Sequence, residues 1–164
     1  MADTYSNASL AFRYTPPMAM RDETEEFRSQ IQEEARLPHA IKDHMALLAM
    51  SSGKDGSDPN WRSLTIETCP RTAITDPDDA SAEAKMSAWL AHSEDASTSS
   101  NKSTVVSGQK FSISLFALQD GPIRKGAVVW TTIRKGKFLS FFFAANSPEQ
   151  LKALAESMKT VQFF

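Results

Sequence analysis

The chain has 164 residues, 41% of them hydrophobic and 23% charged, and 18 Lys+Arg against 20 Asp+Glu leave a formal charge of −2. This length and composition predict one globular unit spanning residues 1–164, with no electrostatic pull toward nucleic acid or an anionic membrane. The single cysteine, Cys69, excludes an internal disulfide framework and a multi-cysteine zinc site. No apolar run approaches the roughly 18 residues of a transmembrane segment.

The start, Met1-Ala2-Asp3-Thr4, carries no basic stretch followed by an apolar one. It therefore reads either as a cytoplasmic protein or as one whose signal peptide has been removed. Leu10–Tyr14 alternates as a short strand and stops at Pro16-Pro17, which cannot donate to a ladder. Asp22 is placed to cap a helix with Glu23, Glu25 and Glu26 in its first turn and Phe27, Ile31 and Ala35 as an apolar stripe. Leu37-Pro38 ends it.

Met45–Met50 and Trp61–Thr68 read as strands joined by the turn-rich Ser51–Pro59, with Pro70 closing the second. Along that second strand Trp61, Ser63, Thr65 and Glu67 share one face. Asp76-Pro77-Asp78-Asp79 then signals a helix whose apolar face is Ala82, Met86, Trp89 and Leu90. From His92 to Ser103 the composition is that of a loop.

Four strands follow, at Thr104–Val106, Lys110–Leu118, Gly126–Arg134 and Lys137–Ala145. Ser107-Gly108, Asp120-Gly121-Pro122 and Lys135-Gly136 separate them, and such short connections force antiparallel neighbours. Phe138–Ala145 is apolar on both faces, which predicts a central strand covered on both sides. Ser147-Pro148-Glu149-Gln150 opens a last helix with Leu151, Leu154, Ala155, Met158 and Val161 at helical spacing. The expected fold class is α+β, an antiparallel β-sheet flanked by helices on both faces, an αβα sandwich.

Particular residues carry a resemblance on top of this pattern. Tyr5 and Asn7 precede the first strand, Pro16-Pro17 follow it, and Gly108-Gln109-Lys110-Phe111 open a later one. Phe138–Ser147 and the ending Met158-Lys159-Thr160-Val161-Gln162-Phe163 complete the set. In these the chain resembles the PsbP-like superfamily, which includes the photosystem II subunit PsbP, the Mog protein and uncharacterised exported bacterial proteins. The resemblance implies an αβα sandwich, a non-enzymatic binding or assembly role toward a protein partner or small ligand, and a periplasmic or extracellular location. It carries no catalytic set.

The residues themselves offer little chemistry. His39, His44 and His92 lack metal-ligand spacing, and Asp43 beside His44 is the only start of a catalytic pair. Cys69 has no base assigned by sequence and reads as a small buried hydrophobe. A hydrolase using Asp43/His44 or Cys69 is one alternative, and an NTF2-like cone with a ligand cavity between sheet and helices is another. No catalytic residue, cofactor or metal is assigned, and the oligomeric state is open. Arg124, Lys125, Arg134, Lys135 and Lys137 read as basic strand ends that solvate turns. Trp61, Trp89 and Trp130 read as core packing, and Phe163-Phe164 as an apolar end that docks on the domain or reaches a partner.

Overall fold

Lys137–Ala145 occupies the fourth place of a seven-stranded sheet, as expected of a strand with apolar side chains on both faces. The computed structural model describes residues 3–38, 40, 43–73, 83, 86, 87, 90, 100–120 and 123–164. In chain order the elements are β1 (Tyr5–Asn7), β2 (Phe12–Tyr14), β3 (Arg21–Asp22), α1 (Thr24–Glu34), β4 (Met45–Ser52) and β5 (Arg62–Pro70). They continue with β6 (Ser100–Val106), β7 (Gln109–Asp120), β8 (Ile123–Arg134), β9 (Lys137–Ala145), α2 (Pro148–Glu156) and β10 (Gln162–Phe163). The large sheet runs β3-β4-β5-β9-β8-β7-β6, and β1-β2-β10 form a second, three-stranded sheet. Every pairing described is antiparallel.

The register sorts β9 into two sets. Leu139, Phe141 and Phe143 face the same side as Leu64 and Ile66 of β5. There they pack with Phe12 and Tyr14 of the small sheet and with Leu154, Met158 and Val161 after β9. Phe141 is fully buried, and its ring meets Phe12, Tyr14 and Phe111 at centroid distances of 5.7, 5.7 and 6.0 Å. Phe138 turns to the other side and packs with Cys69 and Met86.

The helix starts follow the sequence signals. The Ser147 side chain accepts from the Gln150 amide, with Pro148 in the first turn of α2. At α1 the capping residue by position is Glu23, one beyond the expected Asp22. Asp22 still does the capping chemistry, because its carboxylate accepts from both the amide and the hydroxyl of Thr24. Those two bonds hold the Asp22 carboxyl below its ordinary range.

Three expectations need correction. The layer over the Phe141 face is a small sheet together with α2, so the architecture is α+β and sheet-dominated, with two helices described in full, and not a sheet between two clear helical layers. The strand expected at Leu10–Tyr14 begins only at Phe12, because Ala11 takes a left-handed backbone at φ 53° and turns the chain. Ser100–Ser103 belongs to β6 and not to the preceding loop, and β7 and β8 extend further toward each other than expected. The helix signalled from Asp76 lies mostly outside the described residues, although Glu83, Met86, Ser87 and Leu90 are helical. Trp89, His92 and His39 also lie outside them.

The β8–β9 hairpin turns at Lys135-Gly136, with φ 52° and 77°, so both central residues adopt the left-handed conformation of a type I′ turn. Lysine tolerates that backbone poorly, whereas asparagine favours it. Lys135→Asn is therefore expected to stabilise the protein by about 0.5–1 kcal/mol. A urea midpoint unchanged from the parent protein would count against this turn geometry.

Candidate functional site

Among the described residues, the face of the sheet opposite Phe141 is only partly covered, and a cavity of about 570 Å³ opens there beneath α1. Its position follows from how α1 is tethered. Thr24 Oγ1 accepts from the Ala49 amide at 3.0 Å, Ser51 Oγ donates to Glu23 at 2.7 Å, and Arg28 Nε donates to the Ala46 carbonyl at 2.9 Å. All three bonds join the helix to β4 near the sheet edge. The Phe27-Ile31-Ala35 stripe then overhangs β5 and β9 without closing on them, and these three residues line the cavity roof.

The floor comes from strand alternation. Ser63, Thr65 and Glu67 point to this face of β5, and Phe142 lies opposite Thr65 on β9. Phe142 is consequently half-buried where its odd-numbered neighbours are fully buried. Leu90 closes one side, and Asp43 and His44 enter from the turn before β4. Asp43 has a left-handed backbone at φ 54°.

At the inner end, His44 Nε2 lies 2.8 Å from Glu67 Oε1, and Thr65 Oγ1 donates to Glu67 Oε2 at 2.6 Å. The Glu67 side chain is only 6% exposed and that of His44 15%, so the pair is a shielded one. Sequence proximity pointed to Asp43 as the partner of His44, but cross-strand register supplies Glu67 instead. The shared face of Trp61, Ser63, Thr65 and Glu67 was the signal available for it.

Glu67 also begins a polar row across the sheet, since it stands opposite Ser140, which stands opposite Thr131, which stands opposite Ser112. The fully buried Ser87 and Thr131 hydroxyls bond at 2.8 Å, and those of Thr131 and Ser140 at 2.9 Å. Buried hydroxyls satisfied in this way hold the elements together and present no free nucleophile.

Cys69 is 3% exposed, with Sγ 3.7 Å from the sulfur of Met86. Burial, with a smaller contribution from the Glu67 carboxylate, pushes its thiol up to about 12. A nucleophilic cysteine needs the opposite shift. Iodoacetamide at pH 8 is expected to leave Cys69 unmodified in the folded protein and to alkylate it in urea, as read by intact mass. Among the described residues no three His, Cys, Asp or Glu side chains gather as a metal site. No helix among them is long and apolar enough to cross a membrane.

The remaining candidate residues are structural. Lys125 is 8% exposed, with its ammonium 4.2 Å above the Trp61 ring, so it is no solvated strand end. Arg134 donates to the Leu10 and Ala11 carbonyls at 2.7 and 3.3 Å and stacks 4.5 Å above Phe163. The Phe164 amide donates to the Ala11 carbonyl at 2.9 Å, which docks the Phe163-Phe164 end on β2. Lys135 and Lys137 are exposed as expected of turn residues, and the Arg124 side chain lies outside the described set.

The strand order and the small second sheet allow a comparison with known folds. Cyanobacterial PsbP (CyanoP) from Synechocystis sp. PCC 6803, solved in solution, matches 99% of this chain with 92% of its own, at a TM-score of 0.50. The fold is PsbP-like. At 8% identity the likeness concerns the fold alone, and it does not extend the sequence resemblance to Mog. No family model matches the sequence, and no curated protein does.

Proposed function

We propose that the PsbP-like chain is a single 164-residue, non-enzymatic binding module that takes a small ligand into the cavity under α1. The observation that carries the reading is the cavity itself, about 570 Å³, with Phe27, Ile31, Leu90 and Phe142 as apolar walls and polar side chains contributed by α1, the turn before β4 and β5. Small-molecule sites have this size and composition. The hydrolase alternative loses support because Cys69 is buried with a raised pKa and the hydroxyls of Thr65, Thr131 and Ser140 are all engaged. The NTF2-like alternative shares the idea of a cavity between sheet and helix, but the strand order supports the PsbP-like fold over it. The superfamily resemblance favours an exported bacterial protein, and hence a periplasmic or extracellular ligand.

A protein partner is the second reading. It is favoured by β6, which leaves one margin of the large sheet without a further strand among the described residues, with Val105 66% exposed on it.

The deciding experiment is a fragment screen by amide-resolved NMR. Binding should shift the amides of Ile31, Thr65 and Phe142 together. Shifts confined to β6 would favour the protein-partner reading. Turnover of an ester panel that disappears in His44→Ala would overturn the non-enzymatic one.

A further inference from the structure

We infer that the cavity under α1 selects cationic ligands with an apolar body, organic amines being the chemical class it fits. This rests on the cavity being the binding site and goes further by naming what enters it. Among the described residues that line the cavity, Glu34, Asp43 and Glu67 are carboxylates, His44 is an imidazole, and none is Lys or Arg. The arginine of α1, Arg28, is bonded to the Ala46 and Leu47 carbonyls and to Glu25.

The carboxylates are also not equivalent. Glu67 is committed to His44 and Thr65 at the inner end. Glu34 reaches the cavity from α1 and Asp43 from the turn before β4, so they flank it from two elements. An ammonium there would be attracted by both, while a carboxylate would be repelled and would lose water with no cation among the described lining residues to replace it. The apolar part of the ligand has surfaces to match, with Ile31 and Leu90 as aliphatic walls and the rings of Phe27 and Phe142 as faces that also favour a cation. Size fits as well, since about 570 Å³ accommodates a fused aromatic ring with an alkyl arm.

The test uses three fluorescent probes that share a dansyl group and differ in their end: dansylcadaverine (amine), N-butyl dansylamide (neutral) and dansyl-6-aminohexanoate (carboxylate). Entry into the cavity is read as a blue shift and a rise in emission. The amine is expected to bind about tenfold more tightly than the carboxylate, with the neutral probe between them. Added salt should narrow that gap. In the double variant Glu34→Gln/Asp43→Asn the preference should fall to about threefold or less, since two of the three carboxylates are gone. Both residues are surface-accessible and far from the core cluster, and a thermal melt checks that the variant folds. Phe142→Ala should weaken all three probes together. Equal or tighter binding of the carboxylate probe would overturn the amine preference and leave the cavity reading standing. Failure of all three probes to bind, or binding indifferent to Phe142→Ala, would overturn the cavity reading itself.

Discussion

Replacing Phe141 with alanine is expected to lower stability by about 3–5 kcal/mol. The ring sits in the middle strand of the large sheet, fully buried, with edge-on contacts to Phe12, Tyr14 and Phe111. Those three partners come from the small sheet and from β7, so the cavity left behind would lie where both sheets meet and could not collapse without separating them. Aromatic pairing adds roughly 0.5–1.5 kcal/mol per contact beyond area burial, which places the site toward the upper end of the range. A domain of ordinary stability, about 5–15 kcal/mol, would be left marginal or unfolded. Phe141→Leu keeps most of the volume and should retain the fold with a loss of about 1–2 kcal/mol. Urea unfolding of the pair is the measurement. A loss for alanine no greater than that for leucine would mean that this ring is not the keystone of the core.

The second large effect is expected at Arg134. Its guanidinium bonds the carbonyls of Leu10, Ala11 and Phe164 and stacks on Phe163, so one side chain ties β8 to the loop before β2 and to β10. Removing it takes the guanidinium donor from the partly buried Leu10 carbonyl and one of two donors from that of Ala11, which costs about 2–3 kcal/mol. Arg134→Lys should recover less than half of this, because an ammonium cannot address three carbonyls and lie flat on a ring at once. Hydrogen exchange gives the specific readout. In Arg134→Ala the Phe164 amide, which donates to Ala11, should lose its protection while amides of β9 keep theirs. Uniform loss across both would show a general destabilisation in place of a released strand.

The reach of the sequence differed from element to element for physical reasons. The meander of β7, β8 and β9 was legible because its strands are nine to twelve residues long, β9 is apolar on both faces, and turn-forming clusters at Asp120-Gly121-Pro122 and Lys135-Gly136 separate them. The last helix was legible from its Ser147-Pro148-Glu149-Gln150 start and the helical spacing of Leu151, Leu154, Ala155 and Met158. Of the small sheet only the strand at β2 was legible, since strands of two and three residues are too short to show a period. Ser100–Ser103 hid in the same way, because an edge strand of polar residues is held by its ladder to β7 and not by burial. At the candidate site the apolar stripe of α1 and the polar face of β5 were both visible, but the gap between them was not. That gap depends on α1 being tethered at β4, and the His44–Glu67 pair depends on a strand register that no local pattern encodes.

The strand order has a consequence for how the chain comes off the ribosome. β4 and β5 form a hairpin early in synthesis, yet the neighbour that completes β5 is β9, and the partner that completes β2 is β10 at the very end. Until Lys137–Ala145 has emerged, one side of β5 has its amides and carbonyls unclaimed and Leu64 and Ile66 bare. At bacterial or eukaryotic elongation rates of about 5–20 residues per second, that interval lasts several seconds. A trigger-type chaperone, or any holdase that shields nascent β-hairpins, would act on this window, and truncated chains ending before β9 should accumulate as aggregates.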